Sequence, residues 1–265
     1  MNDKPHLSII EPLTLFKPIT LEEMDSIKLM NRIDSKYLTD ESHLLSILRD
    51  AATTGYRVLE IEDSRMNPYS SVYYDTAVLR MFQDHHNRRL VRQKVRTREY
   101  VSSGVSFLEI KRKNNKGRTS KKRIEIPNNE MLDFQSDANA CDYLARKSWF
   151  KADELTPVLN TNFSRITLVN SAKTERLTID TQLCFHNYRT DKDASLYDAV
   201  IIELKQDGHA DSQMKRILLD HRVKPMRISK YCIAVTLTDH SARSGRFKVK
   251  VRRIEKTINK KISIK

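Results

Sequence analysis

From Arg92 to Arg98 every second residue is a cation: Arg92, Lys94, Arg96 and Arg98, with Gln93, Val95 and Thr97 between them. Successive side chains of a β-strand point to opposite faces, so a strand here has one wholly cationic face. The rule repeats along the chain. Phe107, Glu109, Lys111 and Lys113 oppose Leu108 and Ile110; Lys121, Arg123 and Glu125 oppose Ile124 and Ile126; Arg176, Thr178 and Asp180 oppose Leu177 and Ile179; Glu203 and Lys205 oppose Val200, Ile202 and Leu204. Cations stacked at intervals of about 7 Å along one strand face repel one another, and the stack persists when something anionic lies between them. The chemistry open to such a set is the binding of a polyanion by guanidinium forks and ammonium point charges, with a carboxylate left to hold a divalent metal.

Other chemistries are excluded. The five glycines, Gly55, Gly104, Gly117, Gly208 and Gly245, never fall at a phosphate-cradling spacing, so there is no P-loop or Rossmann turn. No nucleophile elbow surrounds any serine, and no His-x-x-x-His pair exists. Cys141, Cys184 and Cys232 are too sparse for a disulfide framework or a zinc site and read as buried thiols. The chain has 265 residues, 39% hydrophobic and 31% charged, which suits one large soluble domain or two small ones. Its 48 basic and 34 acidic residues leave +14, concentrated in two places. Fourteen cations face Glu99 and Glu109 between Arg88 and Arg123, and ten face Glu255 between Arg243 and Lys265. A polyanionic partner follows from that concentration.

The elements that must position these residues follow from periodicity. Helices are expected over Leu21–Met30 and over Asp40–Ala52, where Asp40 caps a stretch with Leu44, Leu45 and Leu48 at helical spacing. Strands are expected at Ser71–Thr76, Leu90–Val101, Phe107–Lys113 and Thr119–Ile126, joined as a meander by turns at Ser102-Ser103-Gly104 and Asn114-Asn115-Lys116-Gly117. A helix over Glu130–Trp149 follows, then strands Asn162–Val169, Glu175–Leu183 and Val200–Gln206, then helices Ala210–Leu219 and Ser229–Leu237. The parity admits an open antiparallel sheet with one solvated charged face, or a closed barrel whose lumen gathers the charged faces. Stacking of one sign, and the place of Glu203 and Lys205 in an otherwise apolar strand, favour the second. The expected fold is α+β, a closed antiparallel β-barrel with packing helices outside.

The ordered fragments Asn31-Arg32-Ile33-Asp34-Ser35-Lys36-Tyr37, Ser71-Val72-Tyr73-Tyr74-Asp75-Thr76, Arg96-Thr97-Arg98-Glu99-Tyr100, Phe107-Leu108-Glu109-Ile110-Lys111, Ile202-Glu203-Leu204-Lys205 and Ser229-Lys230-Tyr231 resemble the vacuolar transporter chaperone (VTC) domain. That family is the polyphosphate polymerase branch of the CYTH, or triphosphate tunnel metalloenzyme, superfamily, and the resemblance spans roughly residues 20–240. It implies a tunnel that binds triphosphate and a divalent metal, manganese first and magnesium second. It also implies transfer of the terminal phosphate of ATP to inorganic polyphosphate or a pyrophosphate primer. Carried over by position, it implies a catalytic set of Arg96, Arg98, Lys111, Arg165 and Lys230 and a metal ligand in Glu203. Phosphate contacts are implied for Lys36, Arg176, Lys205, Arg227 and Ser229, and for Lys121 or Lys122, parity favouring Lys121. Where hydrolase and cyclase relatives open with Glu-x-Glu-x-Lys, this chain has Arg32-x-Asp34-x-Lys36. The first carboxylate has become a cation, which counts against a two-metal triphosphatase.

The expected organisation is a tunnel domain over residues 1–240 and a solvated basic tail over 241–265, whose removal from residue 243 onward should leave turnover intact. The tail could gather polyphosphate product or make a peripheral contact with an acidic membrane surface. No spanning stretch or SPX domain is read, and Met1–Pro18 lacks a secretory layout, so the expected compartment is the cytoplasm. Two other functions compete with the polymerase: a non-catalytic polyphosphate-binding module and a tunnel triphosphatase. A nucleic-acid binder is disfavoured, because only 7% of residues are aromatic and none clusters beside the cations for base stacking.

Overall fold

In the computed structural model, residues 6–25, 27, 29, 32–208 and 211–262 are described. Eleven strands form one sheet: β1 (Lys17–Ile19), β2 (Arg32–Asp40), β3 (Arg57–Leu59), β4 (Asn67–Asp75), β5 (Arg92–Tyr100), β6 (Val105–Lys113), β7 (Thr119–Ile126), β8 (Thr156–Val169), β9 (Glu175–Asn187), β10 (Lys192–Leu196) and β11 (Ala199–Asp207). The main path runs β2-β11-β9-β8-β4-β5-β6-β7, antiparallel at every step. Among the described residues eight α-helices accompany it: α1 (His6–Leu13), α2 (Leu21–Asp25), α3 (Glu41–Thr53), α4 (Arg80–His86), α5 (Ala138–Lys147), α6 (Gln213–Asp220), α7 (Lys230–Thr238) and α8 (Gly245–Thr257).

The apolar parity of each strand faces outward onto helices. Ile166, Leu168, Leu177, Ile179, Ile202 and Leu204 form a core with Leu44, Ile47 and Leu48 of α3 and Met214 and Leu218 of α6. Val72, Val95, Leu108 and Ile110 form another with Phe134 and with Leu144 of α5. Asp40 caps α3 as expected, accepting from the His43 N–H at 3.0 Å. The expected helix over Glu130–Trp149 shrinks to α5, because Asp137 caps a start at Ala138 and two short 3-10 turns precede it. Part of Leu21–Met30, Asn31 and Ala210 lie outside the described residues.

The charged parity lines a concave face, and the sheet is a curled half-barrel. The curl brings Lys111 of β6 near enough to Glu203 of β11 for each to shift the other's titration, although a flat sheet would hold those strands about 24 Å apart. The expected closure is corrected: among the described residues β2 and β7 do not pair. Two features occupy the edges. On β2, Met226 donates its N–H to the Lys36 carbonyl at 2.7 Å, and Tyr37 bridges to Pro225. On β7, Lys121, Lys122 and Arg123 keep a solvated charged edge, which resists further pairing.

Only half of the concave face is charged. Further along the same strands the inward positions become Leu38, Ile201, Leu183, Phe185 and Leu159, and α7 fills that half with Ile233, Ala234 and Leu237. Against α7 lies α8, whose Phe247 and Ile254 are 3% and 0% exposed. The solvated extension expected beyond residue 240 is thereby corrected: 245–257 is a helix whose Phe247, Val251, Ile254 and Ile258 form one apolar stripe at helical spacing. Ile254→Ala is expected to cost about 2–5 kcal/mol of unfolding free energy in a denaturant titration. Deletion from residue 243 should destabilise the fold by more. An unchanged midpoint for Ile254→Ala would show that α8 does not pack in solution. Of the three thiols, Cys232 is buried and Cys141 and Cys184 are only half-buried.

Candidate active site

Strand register assembles the charged half. Pairing sets Lys36 against Glu203, Asp34 against Lys205, Lys205 against Arg176, Arg165 against Asp180, Tyr73 against Arg96, Ser71 against Arg98, Arg96 against Glu109, and Lys111 against both Lys94 and Lys121. Several of these are like-charge neighbours, which destabilise a sheet unless an anion sits between them.

Three inward carboxylates act as hubs. Asp180 accepts from Arg165 Nε at 2.6 Å and Nη2 at 2.9 Å and also pairs with Lys230. Glu109 accepts from Arg96 Nε at 2.8 Å and Nη2 at 2.6 Å and from Lys121 Nζ at 2.9 Å. Glu203 pairs with Lys36. Burial by itself would raise all three carboxyls, yet the surrounding cations hold each well below the usual carboxylate range. Lys122, paired opposite Ile110, shares the outward parity, so Lys121 is the inward lysine of β7.

The remaining cations outnumber the hubs. Lys94 donates to Ser229 Oγ at 2.8 Å, Arg98 donates to Ser71 Oγ at 2.9 Å, and Lys205 donates to Thr178 Oγ1 at 3.2 Å. Among the described residues these three and Lys111 have no ion-pair partner. Lys111 keeps an exposed side chain but is crowded by protein; partial loss of bulk water, with Arg96, Lys36 and Lys94 nearby, pulls its pKa to about 8 against the pull of Glu203. Burial does the same to Lys205, again to about 8. Even the buried Tyr73 phenol, which burial would raise, falls below its ordinary value beside Arg96, Arg98 and Lys94.

An aromatic platform fixes the arginines. Tyr69 and Phe163 stack with centroids 5.4 Å apart, and the guanidiniums of Arg98 and Arg165 lie 4.9–5.7 Å from their centroids. Lys230 Nζ stands 3.2 Å from the Phe163 centroid. Ser229 caps α7, accepting from the Cys232 N–H at 3.4 Å, so the positive end of that helix dipole faces the charged half. Arg227 is exposed at the rim, and Arg176 lies on the inward parity beside Lys205.

The predicted residues therefore share one trough, but their geometry redistributes the roles. Arg165 and Arg96 already spend two donors each on Asp180 and Glu109, and Arg96 Nη1 also donates to Tyr73 at 3.0 Å. Arg98, held among the described residues by one hydrogen bond through Nε, keeps the guanidinium edge that a bidentate phosphate contact needs. The platform and Lys94 were absent from the predicted set; the alternation Tyr69-Ser71-Tyr73 and the parity of Lys94 were the available signals.

A metal would have to compete with a cation for any of these inward carboxylates. Asp180 and Glu109 each hold two cations, Asp34 and Glu203 each hold one, Arg32 and Lys36 respectively, and among the described residues no three His, Cys, Asp or Glu side chains cluster. The donor set does not form a cage; a hard cation would take Glu203, the less exposed of the two singly paired carboxylates, as a single protein ligand.

A family model, the VTC domain, matches residues 31–239. The chain belongs to the VTC domain family. No curated protein sequence matches it. Solved structures similar to this VTC domain include a protein from Hippeastrum, proposed as an adenylyl cyclase and described as having a dominant triphosphatase activity (14% identity, 77% of this chain and 95% of that one, TM-score 0.48). Another is a proposed adenylate cyclase from Vibrio parahaemolyticus (12%, 76% and 96%, 0.44). A third is a conserved hypothetical protein from Pyrococcus furiosus (12%, 76% and 99%, 0.42). The match to the VTC domain takes in every predicted site residue and ends before α8. Among the described residues no helix is long and apolar enough to cross a membrane.

The two lowered lysines make the charge of the trough in this VTC domain pH-dependent. Lys111 and Lys205 lose charge as pH rises through about 8, whereas a bound polyanion raises both pKa values and keeps them charged. Tripolyphosphate affinity should therefore fall between about pH 7 and about pH 9, by about tenfold for each of the two lysines. A titration showing flat affinity across that range would remove both lysines from the contact set.

Proposed function

We propose that this VTC domain is an ATP-dependent polyphosphate polymerase of the cytoplasm, transferring the terminal phosphate of ATP to a growing polyphosphate or pyrophosphate end. One observation carries the reading: a concave face on which, among the described residues, Lys94, Arg98, Lys111 and Lys205 have no ion-pair partner of their own. A terminal phosphate oxygen of the acceptor attacks the γ-phosphorus, a new P–O bond forms, the bond to the bridging oxygen breaks, and ADP leaves with that oxygen. The acceptor is already ionised at neutral pH, so no side-chain base or nucleophile is required. The obstacle is repulsion between two polyanions.

The trough lowers that obstacle by placement and charge. Arg98 offers a bidentate edge, Lys94, Lys111 and Lys205 supply point charges, and the remaining N–H groups of Arg96, Arg165 and Lys230 contribute single contacts from fixed positions. Lys36, Lys121, Arg176, Arg227 and Ser229 extend the lining. A divalent metal, manganese before magnesium, would be held by Glu203 and would supply charge neutralisation on the phosphates. Glu203→Gln is expected to abolish the response to added metal and lower turnover about tenfold; wild-type metal response in that variant would remove Glu203 from this role.

The deciding experiment incubates the protein with ATP, manganese and pyrophosphate and resolves the products by length. A metal-dependent ladder with matching ADP release supports polymerisation. Free phosphate without a ladder makes the protein a triphosphatase, and binding without turnover makes it a polyphosphate-binding module. The pairing of Asp34 with Arg32, which stands where the relatives' motif has its first carboxylate, favours the polymerase over a two-metal hydrolase.

A further inference from the structure

The matched family region ends at residue 239, yet α8 is part of the folded body and carries its own cations. Phe247, Val251 and Ile254 anchor one stripe of the helix, leaving Arg246, Lys250 and Arg253 at i, i+4 and i+7 along a flank. Lys250 Nζ donates to the Arg227 carbonyl at 2.6 Å. That places the flank against the segment that continues through Ile228 into Ser229, where Lys94 of the trough donates. Across the same mouth Arg92 of β5 stands opposite Lys113 of β6. Burial lowers both cations, and Arg227 lowers them further; Lys250 is likewise lowered by burial and then by Arg88, Arg227 and Lys94. A continuous row of like charges thus runs from Lys94 past Arg92, Lys113 and Arg227 to α8, where only Glu255, on the opposite flank, is acidic. Such a row suits an extended polyanion that is longer than the trough.

We propose that the α8 flank is a second binding surface for the far part of a long polyphosphate chain, continuous with the trough and used only by chains that outgrow it. This rests on the polyphosphate reading of the trough. The test measures binding of tripolyphosphate and of long-chain polyphosphate to the full chain and to Lys250→Glu/Arg253→Glu. Expected are unchanged tripolyphosphate affinity, a fall of about tenfold or more in long-chain affinity, and a shallower salt dependence for the long chain. The neutral pair Lys250→Gln/Arg253→Gln should give the same selectivity with a smaller loss, and serves if charge reversal unfolds the protein. Equal losses for short and long chains, or no loss for either, would overturn the proposal. If the wild type binds neither phosphate, the reading of the trough fails and this proposal with it. If the wild type binds vesicles containing phosphatidylserine and the variant loses that binding while holding long polyphosphate normally, the flank is a membrane contact and the proposal is wrong.

Discussion

Arg98→Met is expected to lose about 10²–10³-fold in phosphate transfer while becoming the more stable protein. Arg98 is 7% exposed and has no carboxylate partner among the described residues; burial lowers its pKa, and Arg96 and Arg165 lower it further. A buried cation in that position opposes folding. Methionine keeps much of the apolar stem against Tyr69 and Phe163 and removes the charge, at the expense of one hydrogen bond to Ser71 that is worth about 1 kcal/mol. The net gain should be about 1–3 kcal/mol, read as a higher denaturant midpoint. Activity moves the other way because the guanidinium edge is what a phosphate would occupy. Stability and turnover falling together would mean that Arg98 is a structural residue and that the phosphate edge lies elsewhere.

This opposition explains which part of the site could be read from the chain. Parity along β5, β6, β9 and β11 is a local property of alternate residues, so the charged face and its members were legible without a structure. The fold places Lys36, Arg96, Arg98, Lys111, Lys121, Arg165, Lys205, Lys230 and Glu203 along one trough. What parity cannot carry is pairing between cation and carboxylate over long separations. Asp180 neutralises Lys230 from fifty positions away in the chain, and only the fold brings them together. Closure failed for a related reason: the β2 edge is taken by Pro225 and Met226, a segment with no strand signal of its own. The helix α8 was hidden by composition. Its cations dominate any count of charge, while Phe247, Val251, Ile254 and Ile258, which decide its placement, make a stripe only at helical spacing.

Asp180→Asn tests whether the carboxylate hubs stand in for phosphate when the trough is empty of substrate. Asp180 holds Arg165 through two hydrogen bonds and Lys230 through a third contact, all nearly out of reach of water. Removing its charge leaves two buried cations uncompensated, and the variant should lose about 3–5 kcal/mol of stability near neutral pH. The sign of the pH dependence follows from the lowered carboxyl. In the wild type its contribution is complete above the unfolded-state value of about 3.9 and is lost as pH falls below it toward the folded-state value. The variant should therefore show a flatter loss of stability in acid. Tripolyphosphate then discriminates between a hub and an ordinary buried ion pair. In the wild type its oxygens must compete with the Asp180 carboxylate for Arg165 and Lys230; in the variant they meet no competitor. Ligand at a hundredfold excess over its dissociation constant stabilises by about 2.7 kcal/mol. The shift in melting temperature at a fixed tripolyphosphate concentration should accordingly be larger for Asp180→Asn than for the wild type. An equal or smaller shift would show that phosphate never replaces this carboxylate, and that Arg165 and Lys230 hold the trough together without touching what it binds.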